Sequence, residues 1–194
     1  MKVLIIDNGT KNLELIKGFF IGDEVVIVGC YDITFSDSEN YDLIILTGSG
    51  SGVVPAAYKS DEALKNELEI IKNSTKPIIG ICYGCELIAH AFQCKIQKIE
   101  PRITNFVDIV GPGSILGLKK NYIKVFDNHK YIITELSDEI DGLAKSSTGY
   151  EVIKHKTKNI FGTQFHPEKF QELTEGDDVL RKIIEIIKKD QLSK

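Results

Sequence analysis

Lys76-Pro77-Ile78-Ile79-Gly80-Ile81-Cys82-Tyr83-Gly84 is the stretch that decides how this chain is read. Ile78 to Ile81 is a short apolar run without polar alternation, the pattern of a parallel strand covered on both faces. Behind it, Gly-x-Cys-x-Gly allows a sharp turn from strand into a helix expected to begin near Glu86. A thiol between glycines at such a turn is a nucleophile elbow with sulfur in place of the serine oxygen.

Outward from the elbow, similar apolar runs recur at Val3 to Ile6, Val25 to Val28 and Leu43 to Leu46. Between them, Asn12 to Phe20 carries Leu13, Ile16, Phe19 and Phe20 at helical spacing, and Ala63 to Ile71 carries Leu64, Leu68 and Ile71 likewise. This alternation predicts a doubly wound, mostly parallel α/β sheet with its site beyond the carboxyl ends of the strands. From Cys94 to Ile133 the runs shorten and are split by Pro101, Gly111-Pro112-Gly113 and Asn121, which reads as a small antiparallel extension. Leu180, Ile183, Ile184 and Ile187 place an apolar stripe on a last helix, read as core.

About eighty residues after the elbow the chain reads Gly162-Thr163-Gln164-Phe165-His166-Pro167-Glu168. Glu168 stands two residues from His166, so it can orient the imidazole while the imidazole serves Cys82. Nucleophile, base and orienter are the parts a triad needs. Taken singly, a cysteine at a strand end reads as a small hydrophobe and a histidine beside proline as structural; the combination carries the catalytic reading. Cys82-Tyr83-Gly84-Cys85 also has the spacing of a thioredoxin-like redox pair, which leaves His166 and Glu168 without a role. In a weaker form, Cys85 traps Cys82 as a disulfide under oxidation. No second closely spaced Cys/His pair accompanies Cys82 and Cys85, so no metal is expected.

At 194 residues, with no linker or low-complexity stretch, residues 1–194 read as a single domain. The net charge of -4 is spread over interspersed lysines and acids, and arginine occurs only at positions 102 and 181, which argues against nucleic acid. Lys2 to Asp7 lacks the long apolar region of a signal peptide, and no apolar run approaches about 18 residues, which argues against a membrane partner. Four unevenly spaced cysteines do not make a disulfide framework; a reducing, cytoplasmic location keeps them as thiols.

These residues resemble the class I glutamine amidotransferases, whose elbow reads G-x-C-x-G and whose partners read H-P-E, and most closely the glutaminase part of GMP synthetase. The resemblance runs from Val3 to about Glu168 and implies a flavodoxin-like sheet. It further implies a glutaminase in which Cys82 forms a thioester, with His166 and Glu168 as partners and no cofactor. Backbone N–H groups of Tyr83 and of Gly48-Ser49 would bind the oxyanion. The loop at Val125-Phe126-Asp127-Asn128-His129 would face glutamine, with Glu86, Asn128, His129 and Lys130 as substrate-binding candidates. A polar hairpin turn is the plain alternative for Asn128 and Lys130. His90 and His155 carry no signal of function.

The ammonia would pass to an ATP-dependent synthetase subunit, since nothing here resembles a P-loop. Two departures stand out: Glu86 replaces the family's usual glutamine, and Ser49 and Gly50 replace a glycine and a proline of its oxyanion loop. A carboxylate at Glu86 suits an α-ammonium and tends to raise the thiol pKa. Against that, the helix after the elbow and an imidazolium at His166 are expected to lower it. Two other functions fit the same residues. One is a free-standing hydrolase of glutamine or γ-glutamyl compounds, and the other is a regulatory subunit that kept the fold.

Overall fold

The computed structural model describes residues 1–49, 62–111, 116–118 and 120–192. Its strands are β1 (Lys2–Asp7), β2 (Glu24–Gly29), β3 (Leu43–Leu46), β4 (Ile78–Ile81), β5 (Lys95–Val110), β6 (Tyr122–Glu135), β7 (Ile140–Lys145), β8 (Tyr150–His155) and β9 (Ile160–Thr163). The α-helices are α1 (Leu13–Lys17), α2 (Phe35–Ser38), α3 (Glu62–Asn73), α4 (Tyr83–Ala91) and α5 (Gly176–Leu192); a 3-10 turn, Gly18–Phe20, extends α1. One sheet runs β2-β1-β3-β4-β9-β8-β6-β5-β7. No helix among the described residues is long and apolar enough to cross a membrane.

The first five strands of that order pair in parallel, and their apolar runs divide between two faces. Val3, Ile5, Leu43, Ile45, Ile79 and Ile81 pack with Ile16 and Phe20 near α1 and with Val179, Leu180, Ile183 and Ile187 of α5. Leu4, Ile6, Ile44, Leu46 and Ile78 pack with Ile70 and Ile71 of α3 and Leu87 and Ile88 of α4. A strand sandwiched by helices has no solvated face, so successive residues are all apolar. Each such side chain contributes roughly 1.5–3 kcal/mol on burial.

The antiparallel part corrects the expectation of a mostly parallel sheet with a small extension. Antiparallel pairings join β5–β6, β5–β7, β6–β8, β7–β8 and β8–β9, more than the parallel ones, and β5 and β6 are 16 and 14 residues long. Pro101 does not split β5. It falls where the register shifts between Lys98 and Ile103, a stretch that makes no ladder pairs and so needs no proline N–H. Asn121 lies between β5 and β6, while Pro112 and Gly113 lie outside the described residues.

Candidate active site

The elbow is built by close approach. A Cβ on Gly84 would sit 2.2 Å from the Leu46 carbonyl oxygen, and one on Gly80 would sit 2.4 Å from the Gly84 carbonyl carbon. Only glycine lets α4 start directly on the sheet, and it does so at Tyr83 rather than near Glu86. Between the glycines Cys82 is held at φ 52, ψ -104, a conformation strained for any residue with a side chain. Its N–H donates to the Thr163 carbonyl at 2.7 Å, and its carbonyl accepts from the Glu86 N–H at 3.0 Å. The nucleophile candidate is therefore clamped between β9 and the first turn of α4.

His166 lies just beyond β9, its N–H donating to the Phe126 carbonyl on β6 at 2.9 Å. Its Nδ1 is 2.8 Å from Oε1 of the buried Glu168, and that oxygen also accepts from Asn12 Nδ2 at 2.9 Å. Burial raises the Glu168 carboxyl, yet the hydrogen bonds from His166 and Asn12 prevail and hold it below the ordinary carboxylate range. With Nδ1 committed to Glu168, Nε2 is the nitrogen left to exchange a proton with a thiol. Gly48 abuts both partners: a Cβ there would lie 3.4 Å from His166 Cε1 and 3.5 Å from Cys82 Cβ.

The electrostatics tip the balance between the opposing influences on Cys82 toward Glu86 and burial. The Cys82 thiol is pushed well above its ordinary value, by burial first and then by the Glu86 and Glu168 carboxylates, against the Tyr83 N–H and Arg102. Only the first turn of α4 and one guanidinium oppose two carboxylates and a desolvated site. A raised thiol pKa favours the protonated sulfur, so attack couples to transfer of its proton to a base.

The other candidates converge in part. Glu86 is buried, accepts from Gln164 Nε2 at 3.1 Å, and is raised to about 7 by burial, with the Gln164 hydrogen bond opposing. Asn128 places its carbonyl 3.9 Å from Cys82 Sγ. Its side-chain oxygen accepts from Arg102 Nε at 2.7 Å and Thr104 Oγ1 at 3.2 Å, and its carbonyl from Arg102 Nη2 at 2.9 Å. Glu86, His129, Lys130, Tyr83 and Ser49 line the Cys82 pocket with Asn128, Arg102 and Tyr131. A second pocket of about 360 Å³ opens over Gly48 and His166, bordered by Lys11, Asn12 and Lys169, and Ser49, Arg102 and Asn128 border both. The Gly50 of the loop lies outside the described residues.

Sequence reading missed Asn12, Gln164 and Arg102. Nothing local marks the first two, whose partners are 156 and 78 residues away; Arg102 is one of two arginines in an otherwise lysine-based chain. Cys85 is fully buried, and a Cβ on Gly162 would lie 2.6 Å from its sulfur, which places that thiol in packing against β9. His155 sits edge-on to Phe92 and accepts backbone N–H groups from Thr157 and Lys158, a structural setting.

Comparison with known proteins identifies the family. The family model described as "Glutamine amidotransferase class-I" matches residues 4–186. The A-type component of a glutamine-hydrolyzing GMP synthase from Methanopyrus kandleri is 31% identical over 186 residues, 92% of this chain and 95% of that one. Its counterpart from Thermoplasma acidophilum is 28% identical over 193 residues, 96% and 92% of the two chains. A solved Thermoplasma acidophilum structure, provisionally assigned to the same GMP synthase component, superposes with a TM-score of 0.84 at 27% identity, covering 98% of this chain and 96% of that one. With nearly its whole length matched by the family model, the chain belongs to the class I glutamine amidotransferases.

Proposed function

We propose that the chain is the glutamine-hydrolysing subunit of a GMP synthase-type amidotransferase, acting through Cys82, His166 and Glu168. The observation that carries this reading is that Cys82 and His166 border the same point beside Gly48, with the His166 ring fixed to Glu168 at 2.8 Å.

In this mechanism Cys82 Sγ attacks the carboxamide carbon of glutamine while His166 Nε2 takes the thiol proton. His166 then gives that proton to the departing ammonia, leaving a thioester on Cys82, and next deprotonates the water that releases glutamate. Because burial and two carboxylates favour the protonated sulfur, proton transfer accompanies attack. The Tyr83 N–H and a backbone N–H of Gly48-Ser49 receive the oxyanion, each donor being worth roughly 3 kcal/mol of barrier. Glu86 faces the α-ammonium of glutamine, and Asn128, His129 and Lys130 shape the rest of the pocket. Ammonia passes to an ATP-dependent partner that activates XMP, with the reaction in the cytoplasm and residues 1–194 acting as one domain.

The test is glutamate and ammonia release from glutamine by wild type and Cys82→Ala, alone and with the ATP-dependent partner, ATP and XMP. Release that requires Cys82 and rises with the partner is the expected result. Preference for γ-glutamyl amides over free glutamine would instead make Glu86 the determinant of a free-standing hydrolase.

A further inference from the structure

Behind the wall of the Cys82 pocket lies a second group of chemically capable side chains. Asp127 and His129 stand two apart on the inward face of β6, and Glu151 reaches them from β8. Their relative exposures are 0%, 2% and 1%, and one donor atom from each lies within 4.8 Å of the others. His129 Nε2 is 3.4 Å from Asp127 Oδ2 without hydrogen-bond geometry. Both oxygens of Asp127, both ring nitrogens of His129 and Oε2 of Glu151 have no hydrogen-bond partner among the described residues. The other Glu151 oxygen accepts from Ser146 Oγ at 2.7 Å, which fixes the carboxylate's orientation.

Buried polar atoms in folded proteins are nearly always hydrogen-bonded, so five without a hydrogen bond in one place mark a spot whose polar groups call for a partner. A buried water has two protons to offer two carboxylates and an imidazole, whereas a divalent cation takes lone pairs from all three side chains at once. One imidazole nitrogen and two carboxylate oxygens form the donor set of borderline transition metals, and three protein ligands plus water is a common zinc arrangement. Zinc bonds of about 2.0–2.1 Å put neighbouring tetrahedral donors about 3.4 Å apart, so the His129–Asp127 spacing already fits and the rest needs only a small carboxylate movement. The Ser146 hydrogen bond is the kind of outer contact that orients a metal-binding carboxylate.

We propose that Asp127, His129 and Glu151 bind one divalent transition-metal ion of the zinc class. Held between two ligands on the same strand, Asn128 is thereby fixed with its carbonyl toward Cys82. His129 borders the Cys82 pocket, which gives the ion a way in. Binding at this site does not depend on whether that pocket hydrolyses glutamine.

The experiment uses the full chain carrying Cys82→Ala, so the triad thiol cannot hold metal. The protein is stripped with chelator, loaded with zinc, desalted and assayed for bound metal by mass spectrometry. A parallel sample loaded with cobalt(II) is read by absorption. The expected result is stoichiometric zinc, visible cobalt bands without a thiolate charge-transfer band, and a melting temperature raised by zinc and returned by chelator. Adding Asp127→Asn or Glu151→Gln should remove the bound metal while circular dichroism stays unchanged. Failure of the Cys82→Ala chain to retain zinc overturns the proposal, as does full retention in both added variants. A thiolate band in the cobalt spectrum overturns it too, by assigning the metal to Cys30, Cys85 or Cys94, and that spectrum decides the question even if an added variant fails to fold.

Discussion

Glu86→Gln isolates one buried charge beside the nucleophile. The side chain is 5% exposed, and burial raises its carboxyl from an ordinary 4.5 to about 7. A group whose folded pKa is raised binds its proton more tightly in the native than in the unfolded chain. Native stability therefore falls as pH climbs from about 4.5 through about 7, then levels off. At about 1.4 kcal/mol per pKa unit, the rise amounts to about 3 kcal/mol lost above neutrality. Glutamine has the same shape, remains neutral, and offers the same oxygen to Gln164 Nε2. Urea unfolding from about pH 4 to 9 in the presence of EDTA, wild type against Glu86→Gln, should give curves that meet at low pH. They should separate to about 3 kcal/mol by about pH 8, with the variant the more stable. Since Glu86 is the largest charge raising the Cys82 thiol, iodoacetamide should also alkylate Cys82 faster in the variant at neutral pH. Curves that stay parallel across the whole range would refute the assignment of a raised pKa to Glu86.

Gly84→Ala forces a Cβ to 2.2 Å from the Leu46 carbonyl oxygen and should lower stability by more than about 3 kcal/mol, measured by thermal or urea unfolding. Cys82→Gly should unfold about 1 kcal/mol harder than Cys82→Ala, because alanine retains the strain at φ 52 and glycine does not; both should lack glutaminase activity. Asn12→Ala removes the second hydrogen bond to Glu168 and should lower kcat about tenfold, roughly 1.4 kcal/mol, with little change in KM for glutamine. An unchanged kcat would show that His166 alone holds that carboxylate.

The legibility of the chain follows from how far each signal has to travel. β1, β3 and β4 are unbroken apolar runs because helices cover them on both sides, so four or five consecutive residues suffice to name them. β5 carries the opposite pattern, exposed along nearly its whole length, and Pro101 reads as a break because only the partner strand reveals that the register slips there. The same distinction divides the site. Cys82 with its glycines, and His166 with Glu168, are local spellings of a turn and of a hydrogen bond, and the fold brings them together beside Gly48. Asp127 and His129 share a strand face by simple alternation, but nothing in their neighbourhood announces Glu151. For the thiol pKa the sequence shows the opposing influences, Glu86 against the helix and His166, but not their balance, since the largest influence is how completely the folded chain excludes water from Cys82.

Strand β9 has only four residues, yet it bonds β4 in parallel on one side and β8 antiparallel on the other. Its last residue, Thr163, accepts the Cys82 N–H, and three residues later the chain reaches His166. The separation of nucleophile and base is thus set by one strand-to-strand seam rather than by the reach of two independent loops. A slip of one residue along that seam would carry His166 about 3.3 Å past Cys82 and turn its side chain to the opposite face. The seam therefore acts as the gauge block of the molecule: the spacing on which proton transfer depends is inherited from four residues of buried strand.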